Sequence, residues 1–249
     1  MRTSNPALST KAWKTEPTTG QLMTVDGTVN KTFILFGLLM ITAFWTWNQF
    51  YSGLGAYDSQ MFDRLIPFVW GGALGGFVVA LITIFKKEWA PVTSPVYALL
   101  EGLVIGSLSA MLEMLYPGIV VQAVALTFGV LLLMLFLYRS GTIKVTEKFK
   151  LGMFAATGAI ALVYLATWVL SFFSIQMPFI HDSGPIGIGI SLFIVGIAAL
   201  NLVLDFNFIE ESAEKGAPRY MEWFGAFGLM VTLIWLYLEI LRLLAKLRD

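Results

Sequence analysis

The chain has 249 residues, 57% of them hydrophobic and only 13% charged, with a mean hydropathy of +0.78. Ordinary globular domains carry about 25% charged residues, so this composition excludes a soluble enzyme and makes lipid the solvent for most of the chain. The 16 basic and 16 acidic residues cancel, which leaves no global basic surface for nucleic acid; cysteine is absent, and a single histidine, His181, argues against a zinc cluster.

A helix needs roughly 20 apolar residues to cross about 30 Å of hydrocarbon, so this length supplies six to eight spans in one membrane domain. Residues 1–31 read as a polar cytoplasmic tail, with Pro6, Pro17, Gly20 and many Thr and Ser but no apolar signal-peptide core. Residues 32–249 read as the transmembrane domain. Seven apolar stretches follow in order: Phe33–Tyr51, Leu65–Phe85, Tyr97–Leu115, Ile119–Tyr138, Leu151–Phe173, Pro185–Asp205 and Trp223–Leu244. Pro91 and Pro95 precede the third, Tyr116-Pro117-Gly118 follows it, and Gly216-Ala217-Pro218 precedes the last, as breakers should. Trp45, Trp47, Trp89, Trp168 and Trp223 fall near predicted ends, where amphipathic rings favour the headgroup region.

Lys and Arg before span one and after spans two, four and six number 12, whereas the opposite loops hold only Arg64. The asymmetry places the amino terminus in the cytoplasm of a multi-pass cell-membrane protein, and the loop carrying His181 outside. Arg242, Lys246 and Arg248 lie outside if the last segment crosses. Seven full spans are expected, with six and a re-entrant last segment as the alternative.

Small residues recur every fourth position at Gly72 and Gly76, at Gly102, Gly106 and Ala110, at Gly152 and Ala156, and at Gly187 and Ser191. Close helix packing is the expected reason.

Carboxylates inside spans cost a few kcal/mol on insertion scales and are functional-site hypotheses by default. Four qualify: Glu101, Glu113, Asp205 and Glu239. Glu101 is bracketed by leucines near the start of span three, where favourable interaction with the helix N-terminus is the plainer explanation. Glu113, near the outer end, is expected to snorkel. Asp205 closes an apolar run with Asn201 one turn earlier on its face; a helix-to-helix hydrogen bond accounts for Asn201, but not for a titratable Asp. Glu239 has Arg242 three residues on, so a local ion pair and a functional role are both consistent with it.

An intramembrane aspartyl protease needs two membrane Asp residues, and a Ser–His protease needs a buried His; the chain offers one such Asp and places His181 in a loop, so no enzymatic activity, cofactor or bound metal is expected. Carboxylates along a water-filled path are oxygen ligands for a hard cation such as calcium. Two close carboxylates cannot both ionise cheaply, which makes such a path proton-sensitive.

Several stretches together resemble the Bax inhibitor-1 family, also called the transmembrane Bax inhibitor motif family, in its bacterial branch. They are Ser4-Asn5-Pro6, Met23-Thr24-Val25 with Asn30-Lys31-Thr32, Tyr97-Ala98-Leu99-Leu100-Glu101-Gly102, Ile180-His181-Asp182-Ser183-Gly184-Pro185-Ile186-Gly187, Leu204-Asp205-Phe206-Asn207-Phe208-Ile209 and Leu236-Tyr237-Leu238-Glu239-Ile240. The resemblance implies an all-α bundle of seven transmembrane helices with the last near its centre, and a pH-sensitive calcium leak. It also implies a gating pair at Asp205 and Glu239, with Glu101 matching the acid of the Leu-Glu-Gly stretch; Asn201 and Arg242, by their spacing to the two acids, are expected to support the ion path together with Glu101. The second acid is Glu where the family usually has Asp. In a simple hairpin turning near Gly216, Glu239 lies about 16 Å deeper than Asp205, so the partner of Asp205 stays open between Glu239 and Glu101. A non-conducting regulator that binds a membrane protease or a stress- or death-pathway partner is the competing expectation, and a secondary transporter a third.

Overall fold

A computed structural model describes residues 22–52, 61–171, 173 and 183–249. His181 and the tail before Leu22 lie outside the described residues. Seven long helices follow one another: α1 (Val25–Ser52), α2 (Met61–Phe85), α3 (Ala90–Leu115), α4 (Ile119–Arg139), α5 (Glu147–Ser171), α6 (Pro185–Glu214) and α7 (Tyr220–Lys246), with a short 3-10 turn at Lys87–Trp89. Each of the seven is long and apolar enough to cross a membrane. Lipid offers no partner to a backbone N–H or C=O, so a spanning segment of this composition closes its hydrogen bonds internally as a helix.

Where the helices start and stop is set by local chemistry. The Thr24 hydroxyl accepts the Gly27 N–H at 2.9 Å, an N-cap that starts α1 eight residues before Phe33. Thr146 does the same for α5 by accepting from Phe149 N–H at 3.2 Å. Pro91 sits in the first turn of α3, where its missing N–H is no loss. Pro95, expected in the preceding loop, lies inside that helix. Gly118, Gly141 and Gly216 follow or link helices with φ of 83°, 70° and 67°, in the left-handed region that side chains disfavour.

α7 is the central helix. It packs against α1, α3, α4 and α6, and 67% of its most apolar stretch is buried, against 11% for α5 at the periphery. Leu35, Ala98, Leu202, Ala226, Met230 and Leu236 form the middle of one core and are all 0% exposed. Phe33, Phe44, Phe85, Phe136, Phe154 and Leu192 face outward, the arrangement of a protein whose solvent is hydrocarbon.

α1 and α3 approach closely because α3 carries Gly102 and Gly106 where they meet. A Cβ at Gly102 would overlap the Leu39 carbonyl, and one at Gly106 the Ala43 carbonyl. The stripe on α5 differs: a Cβ at Gly152 would meet nothing within 4 Å.

The two ends of α7 are tied to opposite ends of the bundle. At its start, Met23 N–H donates to Ala217 O at 2.8 Å, joining the N-terminal end of α1 to the α6–α7 turn. At its finish, Arg248 donates to Pro117 O at 3.0 Å and to Gln122 Oε1 at 2.9 Å, in the α3–α4 corner. Ser183, before α6, donates to Asp249 at 3.1 Å, and buried Lys246 donates to Gly187 O at 3.1 Å. A last helix whose two ends lie at opposite ends of the bundle agrees with a full span rather than a re-entrant segment, and Lys246 and Arg248 each have partners at its C-terminal end.

Candidate functional site

The carboxylates predicted to cooperate are dispersed over three separate settings. Asp205, on α6, faces α7: a Cβ at Gly228 would lie 3.9 Å from its Oδ1, and the Thr232 hydroxyl is its hydrogen-bonding neighbour. Its Oδ2 is shielded from solvent and has no hydrogen-bond partner among the described residues. Most buried polar atoms in folded proteins are hydrogen-bonded, which sets this oxygen apart.

Glu239 lies seven residues beyond Thr232 on α7, about 10 Å further along the bundle, and has its own partners. Arg242 donates to both of its oxygens at 2.9 and 3.0 Å, Tyr164 of α5 donates its hydroxyl at 2.7 Å, and the Trp235 indole donates at 3.2 Å. The Glu239 side chain is 2% exposed and that of Arg242 39%, so the guanidinium reaches outward while anchored to a buried carboxylate. The Arg242 guanidinium also stands 5.1 Å from the centre of the Tyr164 ring. Glu239 therefore forms the local ion pair that its spacing to Arg242 allowed, and it does not pair with Asp205.

Glu101 is not the missing partner either. It is hydrogen-bonded to Tyr97 one turn earlier, and a Cβ at Gly76 of α2 would lie 2.8 Å from its Oε1. It thus belongs to the α2–α3 contact, where the small residue at position 76 makes room for the carboxylate. Asn201 donates to Thr157 of α5 at 2.9 Å and to Ile197 O at 2.9 Å, the helix-to-helix bond that accounted for it without any ion. Glu113, expected to snorkel, instead turns back to accept the N–H groups of Gly118 and Val120 at 2.6 and 3.0 Å. These are donors that the start of α4 leaves unsatisfied.

Two groupings were missed by sequence reasoning. The first is Glu222 in the opening turn of α7, 4% exposed, which accepts the N–H and hydroxyl of Thr24, both at 2.9 Å, and the Lys31 ammonium. Gly27 is required beside it, because a Cβ there would overlap the Glu222 carboxylate. The Thr24-x-x-Gly27 cap and Lys31 one turn later were visible in the sequence, but nothing local pointed 191 residues on to Glu222.

The second is the way α5 is attached. Lys150 bonds Glu211 at 3.0 Å, Thr157 accepts from Asn201 at 2.9 Å, and Tyr164 bonds Glu239 at 2.7 Å. Between these polar ties, Met153 and Ile160 pack on Ile194 and Ile197 of α6.

Comparison with known protein families gives a match to the description "Bax inhibitor 1 like" over residues 5–249, nearly the whole chain. The chain belongs to the Bax inhibitor 1 like family. No curated protein and no solved structure matches it. Membership agrees with the seven-helix membrane bundle and its central last helix. Within this Bax inhibitor 1 like chain, Asp205 and Glu239, expected from the resemblance to pair, form two separate polar sites on α6 and α7.

Proposed function

We propose that this protein is a proton-gated cation leak, with calcium the expected permeant ion and Asp205 the gating residue. The observation that carries the reading is the shielded, unpartnered Oδ2 of Asp205 against the most buried helix of the bundle. An orphaned carboxylate oxygen is costly in an apolar interior, and a passing hard cation or its hydration water supplies the missing partner. The ion path runs between α6 and α7, from Asp205 towards the Glu239–Arg242 pair, whose tight bonding holds it shut in this conformation. Glu101, on the α2–α3 side, takes no direct part. The predominance of Lys and Arg in alternate loops supports a cytoplasmic N-terminal end of the bundle in a cell membrane.

Protonation removes the Asp205 charge, so flux depends on pH through this residue. Purified protein in liposomes, read with an entrapped calcium indicator across a pH series, tests it. Asp205→Asn imitates the protonated acid at nearly constant volume and abolishes most of the pH response, whereas Asp205→Glu keeps a shifted one. A wild-type pH profile in Asp205→Asn refutes the gating role. A wild type that passes no calcium or other cation at any pH refutes the leak and favours the non-conducting regulator.

A further inference from the structure

At the end of the bundle where α1 and α7 begin, a cleft of about 720 Å³ opens between α1, the start of α3 and the start of α7. Leu22, Ile34, Pro91 and Trp223 give it apolar lining. Asn30, Lys31, Arg219, Tyr220 and Glu222 supply its polar lining.

The charges there do not balance. Glu222 is already occupied by Lys31 and by both donors of Thr24. Arg219 approaches the same carboxylate only to 3.9 Å, outside hydrogen-bond range, and its side chain is 59% exposed. One guanidinium, with its fork of donors suited to phosphate, is thus left over at the cleft. The apolar lining continues into lipid-facing surface: Ile34 is 50% exposed, and Ile41, two turns on along the same face of α1, is 65% exposed.

We propose that this cleft is a binding site for an anionic glycerophospholipid, with the phosphate held by Arg219 and the glycerol and first acyl carbons against Ile34 and Trp223. Its volume lies within the range of roughly 300–1,000 Å³ usual for small-molecule sites. A free phosphate would satisfy Arg219 but gain nothing from the apolar wall. A zwitterionic lipid would bring a cation to a site whose one carboxylate is taken. The site is independent of Asp205 and of the ion path.

The test uses the full chain in detergent, with its thermal unfolding followed as phosphatidylglycerol, phosphatidylcholine or soluble glycerol phosphate is titrated in. Phosphatidylglycerol raises the unfolding midpoint at concentrations at least tenfold below those at which phosphatidylcholine does, and glycerol phosphate has no effect at matched concentration. Arg219→Gln abolishes the preference and Arg219→Lys keeps part of it. Lys148→Gln, which removes an exposed charge at the start of α5, leaves it intact. Ile34→Trp fills the apolar part of the cleft and weakens phosphatidylglycerol at least tenfold, a second readout should Arg219→Gln not fold. Equal response to the two lipids, a preference surviving in both Arg219→Gln and Ile34→Trp, or glycerol phosphate acting as strongly as phosphatidylglycerol would each overturn the proposal, the last by showing a site for free anions.

Discussion

Truncating Glu222 to Ala should be among the most destabilising single changes in this protein. The carboxylate is 4% exposed and its Lys31 partner 12%, so neither is bathed in bulk water. Removing one partner of such a pair leaves an uncompensated charge and costs about 3–5 kcal/mol. The Thr24 N–H and hydroxyl also lose their acceptor at the start of α1. For a chain of this size about 1 kcal/mol moves a melting midpoint by roughly 2–4 °C, so Glu222→Ala should melt roughly 6–20 °C below wild type. Glu222→Gln keeps an oxygen for Thr24 and should cost about half as much, since it forfeits the charge but not the cap. A double-mutant cycle with Lys31→Met, read by thermal or denaturant unfolding of the purified protein in detergent, isolates the pair. A coupling of at least about 1.5 kcal/mol is expected, the lower value for a hydrogen bond to a charged group. Additive losses, with coupling below about 0.5 kcal/mol, would show that the two side chains act independently and refute the reasoning.

Tyr164→Phe removes a hydroxyl that both donates to Glu239 and accepts from Arg242 at 2.5 Å. It should lower stability by about 1–2 kcal/mol, and hydrogen exchange should rise in α5 before it rises in α7; equal exchange in both helices would count against a bond that tethers α5. Gly106→Val should destabilise by about 1–3 kcal/mol, because its Cβ meets the Ala43 backbone, whereas Gly129→Ala, with nothing within 4 Å, should be neutral or stabilising by up to about 1 kcal/mol. Comparable losses in the two unfolding curves would contradict the close approach of α1 and α3.

The spans were legible because membrane thickness demands apolar runs of a minimum length, a property that needs no knowledge of neighbours. Their ends were less so. α1 begins at Val25 because Thr24 caps it, and α6 runs past Asp205 to Glu214, since polar residues continue a helix freely once it leaves the hydrocarbon. The carboxylates show where reading a single helix stops. Spacing along α7 was enough to bring Glu239 to Arg242, and spacing along α6 put Asn201 on the face of Asp205. Whether Asp205 meets a second acid depends on how far each helix is rotated and how deep it sits, quantities set by packing at Gly228 and Thr232 on another helix. Glu222 was hidden for a related reason. Lys31 counted as a tail charge while its partner waited at the start of the last helix.

The three polar ties of α5, at Lys150, Thr157 and Tyr164, are spaced seven residues apart and so lie along one line of the helix. Sliding or turning α5 by a single residue would rotate it by about 100° and break all three at once. The next position that would present the same line to α6 and α7 is a full heptad away, about 10 Å, and would push one end of the helix out of the bilayer. Its register is therefore all-or-none: α5 is docked with every tie made, or released with none. Any mismatch between bilayer thickness and α5 would load the three bonds together rather than one at a time.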